Sequence, residues 1–256
     1  MKTQFLPLII AHRGESRDAP ENTLAAIRLA WERGAPAVEI DVRLTADGEV
    51  VVIHDADLRR VGRSRLVVAE ATSAALRGVE VGAWKLRRWS GERVPLLGDV
   101  LATVPPNGRL FVEIKTGPEI VPALVRVMAT SPLASRQVLF MSFECETMAA
   151  VARALPAHEP CLLLTARQLF GDDGVAGAIA TARALGCVSL DVQAHRRLGR
   201  AVVEAVHAAG LRLYVWTVNR VPTAHRLAAA GIDGITTDRC AWMRERLAAR
   251  TSGLDS

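Results

Sequence analysis

Beyond residue 109 the chain repeats one pattern, a short apolar run followed by an amphipathic stretch, and this alternation restricts the possible folds more than any other feature. Runs at 110–114, 138–142, 161–165, 187–191, 211–217 and 234–237 read as buried parallel strands, because they are apolar throughout rather than alternating. Helices are predicted over 120–129, 144–154, 175–185, 200–209, 223–230 and 241–249, several of them stopped by glycine, as at Gly186, Gly210 and Gly231. Two more strands, at 8–11 and 37–42, precede this series and flank a helix over 22–33 with Asn22 or Thr23 as its cap. Eight such units favour an α/β fold closed as a (β/α)8 TIM barrel. No GxGxxG or Walker loop follows the first strand, which weighs against an open doubly wound sheet.

The rhythm lapses only between 56 and 92. With few aliphatics this stretch reads as a small insertion between barrel strands 2 and 3, too poor in apolar residues for a core of its own. It carries one short helix near 72–77 and a loop over 81–91, and a helix over 95–104 follows it. Residues 1–256 are therefore expected to form a single barrel domain, a length such barrels commonly reach.

The net charge of +5 comes from scattered arginine, since Lys2, Lys85 and Lys115 are the only lysines. No basic run interleaved with aromatics argues for nucleic acid, so a small anionic molecule is the expected partner. Cys145, Cys161, Cys187 and Cys240 lie far apart without a CxxC pair, which favours reduced thiols. The start, MKTQFLPLIIAHRG, lacks a full apolar signal core and a small-residue cleavage site. No stretch is long enough to insert in a membrane, so a cytoplasmic location is expected.

Against this background residues 37–55, AVEIDVRLTADGEVVVIHD, carry unusual chemistry. On a strand Glu39 and Asp41 project to one side while Val38, Ile40 and Val42 project to the other. Two adjacent carboxylates repel and resist desolvation, so they call for a cation between them. A turn at Asp47-Gly48 sends the chain back through 49–53 to His54, which returns an imidazole toward the acids. Other strand ends add His12 and Arg13, then Glu113 and Lys115 two apart in FVEIK. In a barrel these ends meet at one mouth.

Three carboxylates with few nitrogen or sulfur donors make a hard site, suited to Mg2+ or Ca2+, with Mn2+ also compatible. Arg13 and Lys115 beside it would receive a phosphate, and two histidines can divide the roles of acid and base. Such a set suits phosphodiester cleavage.

The residues also resemble the glycerophosphodiester phosphodiesterase family, in its bacterial cytosolic form. The likeness rests on HRG at 12–14, PENT at 20–23, the ExD pair with DGEVVVIHD at 47–55, GERVPLL at 91–97, EIK at 113–115, SF at 142–143, HAAGLRLYVWTVN at 207–219 and GIDGITTD at 231–238, in that order. It implies metal-dependent hydrolysis of glycerophosphodiesters, such as glycerophosphocholine or glycerophosphoethanolamine, to sn-glycerol 3-phosphate and an alcohol. By the same likeness Glu39, Asp41 and Glu113 hold the metal, His12 and His54 form the acid/base pair, and Arg13 and Lys115 bind phosphate. Phe143 and Trp216 then line the glycerol side of the pocket. Direct attack by water and attack by the glycerol 2-hydroxyl through a cyclic phosphate both fit these residues. The sequence departs from the family pattern at Arg60-Val61-Gly62-Arg63, at Leu96 and at Cys240, none of them a proposed ligand. A lysophospholipase D acting on acylated diesters and a barrel that binds phosphate esters without turnover are the alternatives. Glu21 and Asn22 read as loop and cap residues, while Asp191 and Asp238 end strands where they could support the site. The remaining histidines, His158, His195, His207 and His225, read as structural or exposed.

Overall fold

In the computed structural model, which describes residues 6–251, nine strands form one sheet. They are β1 (Leu8–His12), β2 (Ala37–Leu44), β3 (Val50–Val52), β4 (Arg109–Ile114), β5 (Val138–Ser142), β6 (Glu159–Leu164), β7 (Ser189–Gln193), β8 (Arg212–Trp216) and β9 (Gly234–Thr237). Their order is β1-β9-β8-β7-β6-β5-β4-β2-β3, and β1 also pairs with β2, which closes eight parallel strands into a barrel. The closing registers set Ile10 beside Ala37 and Leu8 beside Gly234. The ninth strand, β3, runs antiparallel to β2 with Val52 opposite Val42, returned by a turn in which Gly48 has φ +76°. The start of the chain and its last residues, to which the leader and domain expectations extend, lie partly outside the described residues.

Alternation along each strand divides the core in two. Val38, Ile40 and Val42 of β2, with Val112 of β4 and Phe140 of β5, face the helices in the larger apolar cluster. Inside the barrel Ile10, Phe111, Leu139, Cys161, Leu163 and Tyr214 fill the interior, and Phe111 meets Tyr214 edge-on with ring centroids 5.2 Å apart. This apolar plug closes the barrel below the strand ends, so polar residues there open only toward the mouth.

The helix predicted over 22–33 spans Leu24–Glu32, with Thr23 as its cap accepting from the Ala26 N–H at 3.3 Å. Asn22 lies outside it in a left-handed conformation, φ +59°. Gly14, φ +82°, is fixed by close approach, because a Cβ there would lie 2.5 Å from the Ala26 carbonyl carbon. The helix predicted over 95–104 contracts to Leu97–Leu101, since Leu96 is extended and Pro105 follows soon after. Short helices at Arg59–Gly62 and Ala166–Leu169 were not foreseen; each is a single turn, too brief for a periodic signal.

The segment after β3 contains more apolar packing than its composition suggests. Leu58, Val61, Val68, Leu76 and Val81 form a second cluster, completed by Val51, Ile53 and Val94 from its flanks. The cluster draws part of its surface from β3 and from Val94 rather than from the segment alone. Cys145, Cys161, Cys187 and Cys240 are free thiols. Among the described residues no helix is long and apolar enough to cross a membrane.

Candidate active site

The strand ends converge as the alternation demands. His12, Arg13, Glu39, His54, Glu113, Lys115, Phe143 and Trp216 line one cavity of about 240 Å³. Asp41 completes the set: it is fully buried, and register places it beside Glu113. Glu39, Asp41 and Glu113 each offer a carboxylate oxygen within 4.8 Å of the others.

Electrostatics at this cluster are unbalanced. Burial pushes the Glu39 carboxyl well above its ordinary range, and the charges of Asp41 and Glu113 push it further. Glu113 rises to about 7, first through burial and then through Asp41. Asp41 goes the other way, to about 2, because Arg13 and Lys115 outweigh its burial. Arg13 Nε lies 3.0 Å from Asp41 Oδ2 and Lys115 Nζ 3.1 Å from Asp41 Oδ1. Lys115 also contacts Glu113 closely. Glu39 Oε1 is buried with no hydrogen-bond partner. An all-oxygen donor set with raised acids and an orphaned oxygen fits a hard divalent cation.

Backbone geometry brings the cations in. Arg13 has φ +55°, a costly conformation for a side-chain-bearing residue, and its N–H donates to Glu39 Oε2 at 2.9 Å. Asn22 brackets Asp41 from both sides: its Nδ2 donates to Asp41 Oδ2 at 2.8 Å, and its Oδ1 accepts from the Asp41 N–H at 3.1 Å. Its reading as a helix cap is corrected. Glu21, read as a loop residue, accepts from Arg13 at 2.8 Å and from Arg60 at 2.9 and 2.8 Å.

Each imidazole is held by a carboxylate on Nδ1. Asp238 Oδ1 lies 2.6 Å from His12 Nδ1, and Asp55 Oδ1 lies 2.7 Å from His54 Nδ1. Those contacts leave each Nε2 free for other partners; His12 Nε2 lies 3.9 Å from Glu39 Oε2. Asp238 is itself braced by Asn219 Nδ2 at 2.6 Å. Burial lowers the His54 pKa, and Asp41 and Asp55 recover only part of the loss. Asp55 carried no role in the sequence reading, although its adjacency to His54 was the available signal. Phe143 and Trp216 meet edge-on with centroids 5.7 Å apart at the apolar wall.

The model of the Glycerophosphoryl diester phosphodiesterase family matches residues 12–241, a span containing every group just described. The chain belongs to that family. A glycerophosphodiester phosphodiesterase of Caldanaerobacter subterraneus subsp. tengcongensis is 32% identical over 90% of this chain and 93% of its own. Among solved structures, an Oleispira antarctica phosphodiesterase in complex with the product sn-glycerol-3-phosphate superposes with a TM-score of 0.87 at 27% identity, covering 95% of this chain and 98% of the other. The Thermotoga maritima glycerophosphodiester phosphodiesterase gives a TM-score of 0.77 at 25% identity over 94% and 98%. The family's members are phosphoric diester hydrolases, and in this member the polar rim, the carboxylate cluster and both braced histidines fall within the matched residues.

Proposed function

We propose that this chain hydrolyses glycerophosphodiesters, such as glycerophosphocholine and glycerophosphoethanolamine, to sn-glycerol 3-phosphate and the free alcohol. The observation that carries the reading is the cluster of Glu39, Asp41 and Glu113 lying between two cationic groups and sharing a cavity with two carboxylate-braced imidazoles. Those three acids would hold Mg2+, Ca2+ or Mn2+. Bound there, a divalent cation would supply charge neutralisation and polarisation at a phosphoryl oxygen.

Within the chain, Arg13 offers a planar fork and Lys115 a point charge to the phosphate oxygens. His54, whose lowered pKa keeps it neutral near pH 7, takes the proton of the attacking hydroxyl. His12, oriented by Asp238, gives a proton to the departing alkoxide as the phosphorus–oxygen bond breaks. Phe143 and Trp216 flank the glycerol half and keep water from its carbons. The same assignments serve water or the glycerol 2-hydroxyl as nucleophile.

The test is release of glycerol 3-phosphate from glycerophosphocholine by chelator-treated protein with and without added Mg2+ or Ca2+. Cation-dependent release is expected, lost in both His12→Ala and His54→Ala. Tight binding of the diester with no product would favour the non-catalytic alternative.

A further inference from the structure

Below the rim lie polar groups that the hydrolytic roles leave unused. Asp191 is 1% exposed in the middle of β7, lines the catalytic cavity, and has no hydrogen-bond partner on either carboxyl oxygen. Thr236 of β9 is 2% exposed, lines the same cavity, and its Oγ1 is likewise unpartnered. Buried polar groups are ordinarily satisfied, and leaving a carboxyl and a hydroxyl bare costs stability that packing does not return. Apolar residues at both places would continue the plug formed by Phe111, Tyr214 and Leu163. That polar atoms stand there instead points to a hydroxylated ligand reaching this depth.

Depth along the strands identifies which part of the ligand arrives. Arg13 and Lys115, the proposed phosphate groups, follow the last residues of β1 and β4, whereas Asp191 and Thr236 sit inside their strands. A phosphate held at the rim with its glycerol half directed inward past Phe143 and Trp216 places the terminal glycerol hydroxyl farthest from phosphorus and deepest in the barrel. We propose that Asp191 and Thr236 form a hydroxyl-recognition floor for this terminal, sn-1, hydroxyl, and so select unacylated glycerophosphodiesters over lysophospholipids. An acyl ester at that oxygen removes the donor and drives a chain against the closed apolar plug. This inference rests on the hydrolase reading above and makes Asp191 a residue of specificity rather than of proton transfer.

The experiment compares glycerophosphocholine with 2-hydroxypropyl phosphocholine, which lacks the terminal hydroxyl but keeps the 2-hydroxyl, in metal-replete protein. Wild type is expected to favour the glycerol ester by on the order of ten- to a hundredfold in kcat/KM. Asp191→Ala should abolish most of that preference by slowing the glycerol ester alone, and Asp191→Asn, which keeps a donor and an acceptor in the same shape, should retain most of it. Thr236→Val, nearly isosteric, should reduce the preference by about threefold to tenfold and provides a second reading if the alanine variant does not fold. Wild-type preference persisting in Asp191→Ala and Thr236→Val, or both substrates slowing equally, overturns the proposal while leaving the hydrolase reading intact. No turnover of either ester by wild type instead removes the hydrolase reading, and the floor falls with it.

Discussion

Asn22→Ala separates a bracket on the acid cluster from an ordinary helix cap. The substitution deletes an acceptor for the Asp41 N–H and a donor to Asp41 Oδ2, at 3.1 and 2.8 Å, in a place where Asn22 is 3% exposed. Arg13 Nε still faces Oδ2 at 3.0 Å and Lys115 Nζ still faces Oδ1 at 3.1 Å, so the carboxylate keeps both cations while the backbone N–H loses its side-chain acceptor. An unsatisfied buried group costs about 1–3 kcal/mol and the lost charged hydrogen bond about 1 kcal/mol more. Alanine held at φ +59° adds about 1 kcal/mol of backbone strain. The sum is about 3–5 kcal/mol. Equilibrium urea unfolding of chelator-treated protein measures it, and calorimetric titration with Ca2+ should show affinity lowered about ten- to a hundredfold as Asp41 loses its brace. A helix cap would behave otherwise: about 1 kcal/mol and no change in cation affinity, the outcome expected for Thr23→Ala. Asn22→Ala matching Thr23→Ala in both readouts would refute the bracket.

Glu113, raised to about 7 when folded against 4.5 unfolded, binds its proton more tightly in the native state. Its contribution to stability is therefore full below pH 4.5 and is lost as pH rises through about 7. In cation-free protein, the difference in unfolding free energy between wild type and Glu113→Gln should shift by about 3 kcal/mol against wild type across that window, and a flat difference would contradict it. His12→Ala and His54→Ala should each lower kcat by about a hundredfold to ten-thousandfold, with Asp238→Asn and Asp55→Asn milder, as read in steady-state assays. Equal activity of His54→Ala and wild type would remove the base. Gly14→Ala must move the Ala26 backbone 2.5 Å from the new Cβ and accept φ +82°, so a loss of more than about 2 kcal/mol is expected on thermal unfolding.

The barrel was legible because its signal is local: each strand is a run of apolar residues and each helix a periodic face. The ExD pair was legible for the same reason, since two-residue spacing dictates a shared side. Asn22 was misread because its partner Asp41 lies on another element and the contact depends on left-handed backbone at both Arg13 and Asn22; asparagine tolerates that conformation, but no residue preference announces it at Arg13. Glu21 likewise acquires its meaning from Arg13 and from Arg60, which comes from the segment after β3. That segment's apolar cluster escaped notice because Leu58, Val61, Val68 and Leu76 follow no fixed period; they are spread over three short turns. The sequence put Asp191 at a strand end, whereas it lies in the middle of β7, and its lack of partners is a property of the assembled barrel.

The central claim is that Glu39, Asp41 and Glu113 form one cation site. Calorimetric titration of chelator-treated protein with Ca2+ or Mg2+ near pH 6.5, repeated in buffers of different ionisation enthalpy, tests it without reference to turnover. Binding at about one cation per chain is expected, accompanied by proton release as Glu39 and Glu113, both raised within this cluster, give up their protons, and abolished in Glu39→Gln. Absence of binding, or binding without proton release that survives Glu39→Gln and Glu113→Gln, would contradict the account.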